Sequence, residues 1–178
     1  MIYYKKLDDN FVDYGIQKLN FSELKFPNEQ PHEWVYLPVN EVFTSAGLQF
    51  FKDKNIKLRS TARIFKIIAG CQISPIHIDS EYYDAAFNFV VEGDGKMEWV
   101  TVDGIESYSS YTQSNASAGA YKRIVDFSKF EINDSWSGKC ALVRIGTPHR
   151  VLGGTHDRYC VSARPAEDHF FNDLVKIV

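Results

Sequence analysis

Cysteine is scarce in this 178-residue chain, with only Cys71, Cys140 and Cys160. The number is odd and no two are spaced C-x-x-C, so neither a disulfide framework nor a thiolate zinc site is expected, and a reducing, cytoplasmic setting is. A basic excess is also missing. Lys and Arg number 20 against 23 Asp and Glu, a formal net charge of -3. Nothing therefore favours a nucleic-acid backbone as bulk partner, whereas a small molecule or a peptide remains compatible. No apolar run approaches bilayer-spanning length, so no membrane association is expected. The opening residues, MIYYKKLDDN, are polar and lack the apolar stretch of a secretory signal. No internal repeat is present. One domain is expected, with a support region over residues 1–61, a body over 62–165 and a tail over 166–178.

Aromatic residues are plentiful. They make up 15% of the chain, with 13 Phe and 10 Tyr, in a sequence that is 44% hydrophobic. Flat and branched side chains suit the pleated surface of a sheet. One helix is expected over Val39–Lys54, where Val42, Phe43, Ala46, Phe50 and Phe51 recur at three- and four-residue steps after Asn40, a possible cap; Gly47 weakens it. From Ala62 the pattern turns to short strands: ARIFKIIAG, PIHID, AAFNFVV and KMEWVTV, the last two joined by the turn EGDG. Residues 104–120, rich in Ser, Tyr and Gly, read as a long loop. KRIVDFSKFEI, CALVRIG, PHRVLGG and RYCVSARP are further strands, with NDSWSGK and THD as turns, and HFFNDLVKIV is a short helix or strand. Together they predict a mainly β fold, a double-stranded β-helix of jelly-roll, cupin-like type with an N-terminal supporting helix.

Three elements carry chemistry. His77-Ile78-Asp79 is an H-x-D, which is common by chance. In an extended segment, however, residues two apart face the same side and could share one ion. His149 opens the strand after the turn G-T-P. Two histidines and one carboxylate match the facial arrangement used for non-haem Fe(II). Beyond the THD turn, Arg158, Cys160, Ser162 and Arg164 alternate onto one face of their strand. Two arginines on one face of an apolar strand are costly to bury without an anion, and a carboxylate is the natural guest for a guanidinium fork.

H-x-D, P-H-R-V about seventy residues later, and then R-Y-C-V-S-A-R resemble the 2-oxoglutarate/Fe(II)-dependent oxygenase superfamily. The stretch HIDSEYYDAAFNFVVEGDGKMEW, from His77 to Trp99, is similar to its small phage-type and aspartyl/asparaginyl-hydroxylase-like members. The resemblance spans roughly residues 62–165 and is most specific in its His–Arg half. It implies Fe(II) held by His77, Asp79 and His149, and 2-oxoglutarate as cosubstrate with its distal carboxylate on Arg158. Ser162 would assist, Asn88 would add a polar contact from the strand after H-x-D, and Arg164 is the rival of Arg158. A close R-x-S motif is not kept, because Cys160 stands where its serine would be. The implied reaction is hydroxylation, with release of succinate and CO₂. The 104–120 loop is a candidate substrate lid, and Glu81 and Asp84 lie where a substrate could be met. His156 and His169 are expected at a turn and in the tail, His32 near a substrate entrance at most, and Trp99 and Trp136 in the core. The alternative from another class is a cupin-like metal-binding sugar isomerase or small-ligand module, which would have no need of Arg158 as a carboxylate clamp.

Overall fold

The computed structural model describes residues 1–26, 32–72, 74–79, 84–104, 107–111, 121–166 and 169–178. In chain order the elements are β1 (Tyr4–Lys6), α1 (Phe11–Gly15), β2 (His32–Pro38), α2 (Val39–Val42), α3 (Ser45–Asp53), β3 (Leu58–Ile67), β4 (His77–Ile78), β5 (Ala85–Glu92), β6 (Gly95–Asp103), β7 (Ser107–Tyr111), β8 (Tyr121–Asp126), β9 (Lys129–Trp136), β10 (Cys140–Arg144), β11 (His149–Gly153), β12 (Arg158–Pro165) and α4 (Phe171–Leu174). The strands form two six-stranded antiparallel sheets, ordered β1-β10-β5-β12-β3-β2 and β7-β8-β4-β11-β6-β9. From β3 to β6 the chain passes from one sheet to the other at every strand, and from β9 to β12 it passes back in the same way. That winding is the double-stranded β-helix, with β7 and β8 as an added hairpin. The first 61 residues also supply β1 and β2, the outer strands of the first sheet.

The first sheet has two different faces. Phe87, Phe89, Leu142, Val161 and Ala163 belong to a buried outer cluster that they share with Phe11, Phe43 and Phe51 of the N-terminal segment. Phe11 stacks on Phe89 with ring centres 4.7 Å apart, and Phe51 meets Phe87 edge-on at 5.1 Å. The alternate positions face the other sheet. There Ala86, Ala141 and Val143 join Met97, Trp99 and Trp136 in an inner cluster. Trp99 is fully buried, donates to the Arg144 carbonyl at 2.7 Å, and carries Tyr3 and Tyr4 stacked on it at 5.7 Å each.

The structure corrects the sequence expectations in several places. The single helix over 39–54 is two, α2 and α3, because Phe43 is extended (φ -102°, ψ 141°) and bridges Ile16. Thr44, not Asn40, caps the long one: its Oγ1 accepts from Gly47 N at 3.0 Å and donates to the Tyr14 carbonyl at 2.6 Å. Gly47 is there for close approach, since any Cβ would collide with the Gly15 carbonyl. Part of the expected 104–120 loop is the strand β7, paired with β8; residues 112–120 lie outside the described residues. NDSW belongs to β9 and not to a turn. Asp84 is a structural anchor. Its Oδ1 accepts from Phe171 N at 2.8 Å and its Oδ2 from Arg144 Nη1 at 3.1 Å, with the Arg144 guanidinium 4.5 Å above the Phe171 ring. This fastens α4 to the barrel. Glu81 lies outside the described residues. No helix among the described residues is long and apolar enough to cross a membrane.

Two turns meet at the end of the barrel where β12 begins. Asp94, between β5 and β6, accepts from Thr155 N (3.0 Å) and Thr155 Oγ1 (2.9 Å) through Oδ2, and from His156 N (2.7 Å) through Oδ1. These bonds hold the Asp94 carboxyl down at about 2. Gly93 has φ +73° and lies against the Asp157 carbonyl, leaving no room for a Cβ. Replacing Gly93 with Ala is expected to cost about 1–3 kcal/mol through strain and displacement of this turn. Urea unfolding measures it, and an unchanged midpoint would contradict the close approach.

Candidate metal centre

His77 and His149 are cross-strand partners on β4 and β11, and His149 also pairs with Trp99 on β6. Direct pairing puts both imidazoles on one face, with ring centres 4.3 Å apart. Asp79 follows β4, its N–H donating to the Ile145 carbonyl at 3.1 Å. Its Oδ1 lies 3.6 Å from His77 Nε2. One ligand atom from each of the three residues falls within 4.8 Å of the others, so the set could hold a metal ion.

The histidines are oriented for that task. His77 Nδ1 lies 2.9 Å from the Pro75 carbonyl and His149 Nδ1 2.8 Å from the Thr147 carbonyl. A carbonyl only accepts, so each Nδ1 carries a proton and each Nε2 is the nitrogen left to face an ion. The electrostatics agree. Burial works against ionisation of Asp79, but Arg164, His77, His149 and Arg63 together outweigh it and hold the carboxyl well below its ordinary range. Burial, helped by repulsion from His77, pushes His149 down to about 3. At neutral pH the site thus offers a carboxylate and a neutral imidazole, the protonation states that metal ligation requires.

The inner face of β12 carries Arg158, Ser162 and Arg164, all buried. The two arginines, rivals on sequence, occupy different places. Arg164 Nη2 donates to Asp79 Oδ2 at 2.7 Å. Burial lowers Arg164 to about 10, so it stays charged at neutral pH. Arg158 lies toward the other end of the barrel, where a Cβ on Gly95 would come 3.1 Å from its Cδ. Gly95 pairs with Gly153, which lies four residues along β11 from His149, roughly 13 Å at strand rise. Arg158 is only 3% exposed, its Nε has no hydrogen-bond partner, and it makes no ion pair among the described residues. Asn88 pairs with Ser162 across β5 and β12, and its Oδ1 is likewise buried without a partner.

The remaining histidines stand apart from this cluster. His156 is exposed beside Asp94, His169 accepts from Lys57 N at 3.4 Å, and His32 Nε2 lies 3.3 Å from Cys71 Sγ. The grip of Arg164 on Asp79 was hidden in the sequence. Alternation put Arg164 on the right face, but only the sheet register decides which arginine reaches the H-x-D carboxylate. The carbonyls of Pro75 and Thr147 leave no sequence signal at all.

No protein-family model matches this sequence, and no curated protein matches it. Among solved structures, hazelnut (Corylus avellana) vicilin is similar with a TM-score of 0.42 and 13% identity, over 84% of this chain and 33% of that one. Bacillus subtilis oxalate decarboxylase, in a structure concerned with its Mn(II) centres, gives 0.41 and 10%, over 83% and 29%. Procruciferin, an 11S globulin from Brassica napus, gives 0.39 and 13%, over 83% and 28%. The chain spans about a third of the length of these proteins.

The depressed His149 gives a pH signature to the metal-free protein. Below about 6.5 the unfolded chain takes up a proton at this position that the folded chain refuses until about 3. Unfolding therefore becomes easier as pH falls through that window. Asp79 adds to the loss below 3.8, because its carboxyl also binds a proton more readily when unfolded. His149→Asn should flatten the dependence of the urea midpoint on pH between about 6.5 and 4. A variant with the wild-type slope would contradict the burial assigned to this imidazole.

Proposed function

We propose that this chain is an Fe(II)- and 2-oxoglutarate-dependent oxygenase acting on a small molecule or a peptide side chain. The observation that carries this reading is Arg158: a guanidinium buried inside the barrel, without an anionic partner among the described residues, on the inner face of the same strand whose Arg164 holds Asp79 of the His-Asp-His cluster. A buried cation of this kind is costly unless an anion completes it.

The donor set fits ferrous iron. His77 Nε2, His149 Nε2 and an Asp79 oxygen would hold it on one face and leave the opposite positions open. When bound, iron and 2-oxoglutarate supply O₂ activation, with the oxo acid ending as succinate and CO₂ and the substrate hydroxylated. The protein's own part is to bind, orient and exclude water. Arg158 grips the distal carboxylate of the cosubstrate with its fork. Ser162 and Asn88, paired across β12 and β5, offer a hydroxyl and an amide on the same inner face. Arg164 holds Asp79 Oδ2 and leaves Oδ1, on the His77 side, for the ion. The Pro75 and Thr147 carbonyls fix both imidazole tautomers. Trp99, the cross-strand partner of His149, and Met97 beside it belong to the buried apolar cluster between the sheets.

The test is calorimetric binding of 2-oxoglutarate to Mn(II)-loaded protein, together with succinate release from the Fe(II) form in air. Arg158→Ala is expected to weaken 2-oxoglutarate binding about 10- to 100-fold, as loss of charged hydrogen bonds of about 1.5–3 kcal/mol implies. It should leave metal affinity in place, whereas His149→Ala should abolish metal binding. Metal binding without succinate release, and with 2-oxoglutarate affinity indifferent to Arg158→Ala, would leave only a metal-binding jelly-roll module of the sugar-isomerase or ligand-binding kind.

A further inference from the structure

A second group of cations stands beside the cluster, and neither metal nor cosubstrate binding uses it. Arg63 of β3 is directly opposite Ser162 of β12, on the same face as Arg164 two residues further on. It is also directly opposite Tyr36 of β2. Its Nε donates to Tyr36 Oη at 2.9 Å, and its guanidinium carbon lies 5.3 Å from the Tyr36 ring centre. The tyrosine holds the fork in place without neutralising it. Arg59 lies on β3 within the stretch where β3 and β12 lose register, between Ala163 and Pro165. Arg59 and Arg63 are half-buried and Tyr36 is 45% exposed, whereas Arg164 is buried, so the group leads from solvent toward the cluster.

These charges are close enough to matter to one another. Repulsion from Arg63 and Arg59 adds to burial in lowering Arg164, and Arg63 is among the cations that stabilise the Asp79 carboxylate. Arg63 has no carboxylate partner among the described residues. Asp79 is the carboxylate that Arg164 holds, and on the reading above its charge is shared with the metal. Like charges held close together attract an oxyanion and are relieved by it. The distal carboxylate of the cosubstrate is not that oxyanion, because Arg158 lies four residues of β12, roughly 13 Å, from the Ser162 position that Arg63 faces.

We propose that the substrate is an anion, and that Arg63, held by Tyr36, grips its carboxylate or phosphate beside the His77–Asp79–His149 cluster. This rests on the oxygenase reading for its catalytic sense, but not for the existence of the anion subsite. Arg63 is then a specificity-determining residue. The rest of the substrate would extend from it toward the cluster.

The test is calorimetry on protein saturated with Mn(II) and 2-oxoglutarate. The probes are N-acetylglutamate for the carboxylate arm, inorganic phosphate for the phosphate arm and N-acetylglutamine as the neutral counterpart. At least one oxyanion is expected to bind ten-fold or more tightly than N-acetylglutamine. Arg63→Gln should weaken that binding at least ten-fold, Arg63→Lys less, and both should move 2-oxoglutarate affinity less than two-fold. Tyr36→Phe, which removes the hydroxyl that Arg63 Nε donates to, serves as the second variant should Arg63→Gln melt early, and it should weaken binding in the same direction. No preference for either anion over the neutral probe, or a preference untouched by these substitutions, would overturn the proposal. A ten-fold loss of 2-oxoglutarate affinity in Arg63→Gln would overturn it as well, by giving the arginine to the cosubstrate. If the protein takes up neither Mn(II) nor 2-oxoglutarate, the oxygenase reading fails by itself, and the same titrations on metal-free protein still decide the anion subsite.

Discussion

Val161 and Ala163 are locked into the outer aromatic layer by Phe87, Phe89 and the phenylalanines of the N-terminal helices, and this fixes the register parity of β12. With the odd positions committed outward, Arg158, Cys160, Ser162 and Arg164 must face into the barrel. A slip of one residue would drive two arginines into a cluster of rings and turn Val161 and Ala163 to the ligand space, so it is heavily penalised. The apolar layer outside the first sheet is therefore what aims the polar residues inside it. The N-terminal segment, which carries none of the proposed chemistry, takes part through Phe11, Phe43 and Phe51.

Inside the barrel a second constraint follows from pairing. His77 sits opposite His149, and His149 opposite Trp99, so two imidazoles share one face above an apolar floor. Their protons are drawn to backbone carbonyls, and the Asp79 charge is held by Arg164. The site is rigid because its supports are main-chain atoms and a buried ion pair. Such a frame is suited to presenting preset donors rather than to closing around a ligand. The cations divide by depth: Arg158 deep, beside Cys160 and without an ion pair among the described residues, Arg164 on the carboxylate, Arg63 and Arg59 toward solvent.

The parts of this arrangement that follow a strict period were legible in the sequence. Alternation in RYCVSARP gave the inner face of β12, and the turns GTP and THD marked the edges of β11, because turn residues there also bound the strands in space. That His77 and His149 could share an ion rests on residue chemistry and the family resemblance; their direct cross-strand pairing has no local signal in the sequence. What could not be read has a physical cause in each case. β7 reads as loop because SYSSY has no apolar alternation, and NDSW reads as a turn because an exposed edge strand shows polar residues outward. The helix broke at Phe43 because a tertiary bridge to Ile16 overrode a regular apolar period. The division of labour between Arg158 and Arg164 depended on where Asp79 lands across two sheets, which no one-dimensional spacing encodes.

The most direct measurement is an anaerobic optical titration of the protein with Fe(II) and then 2-oxoglutarate, followed in the visible region where a ferrous 2-oxo-acid chelate absorbs by charge transfer. The expected result is a band that appears only with both components, saturates at one equivalent of each, and is absent in Asp79→Ala. Tight Fe(II) uptake with no band at any 2-oxoglutarate concentration, or a band that survives loss of Asp79, would contradict the assignment of this cluster.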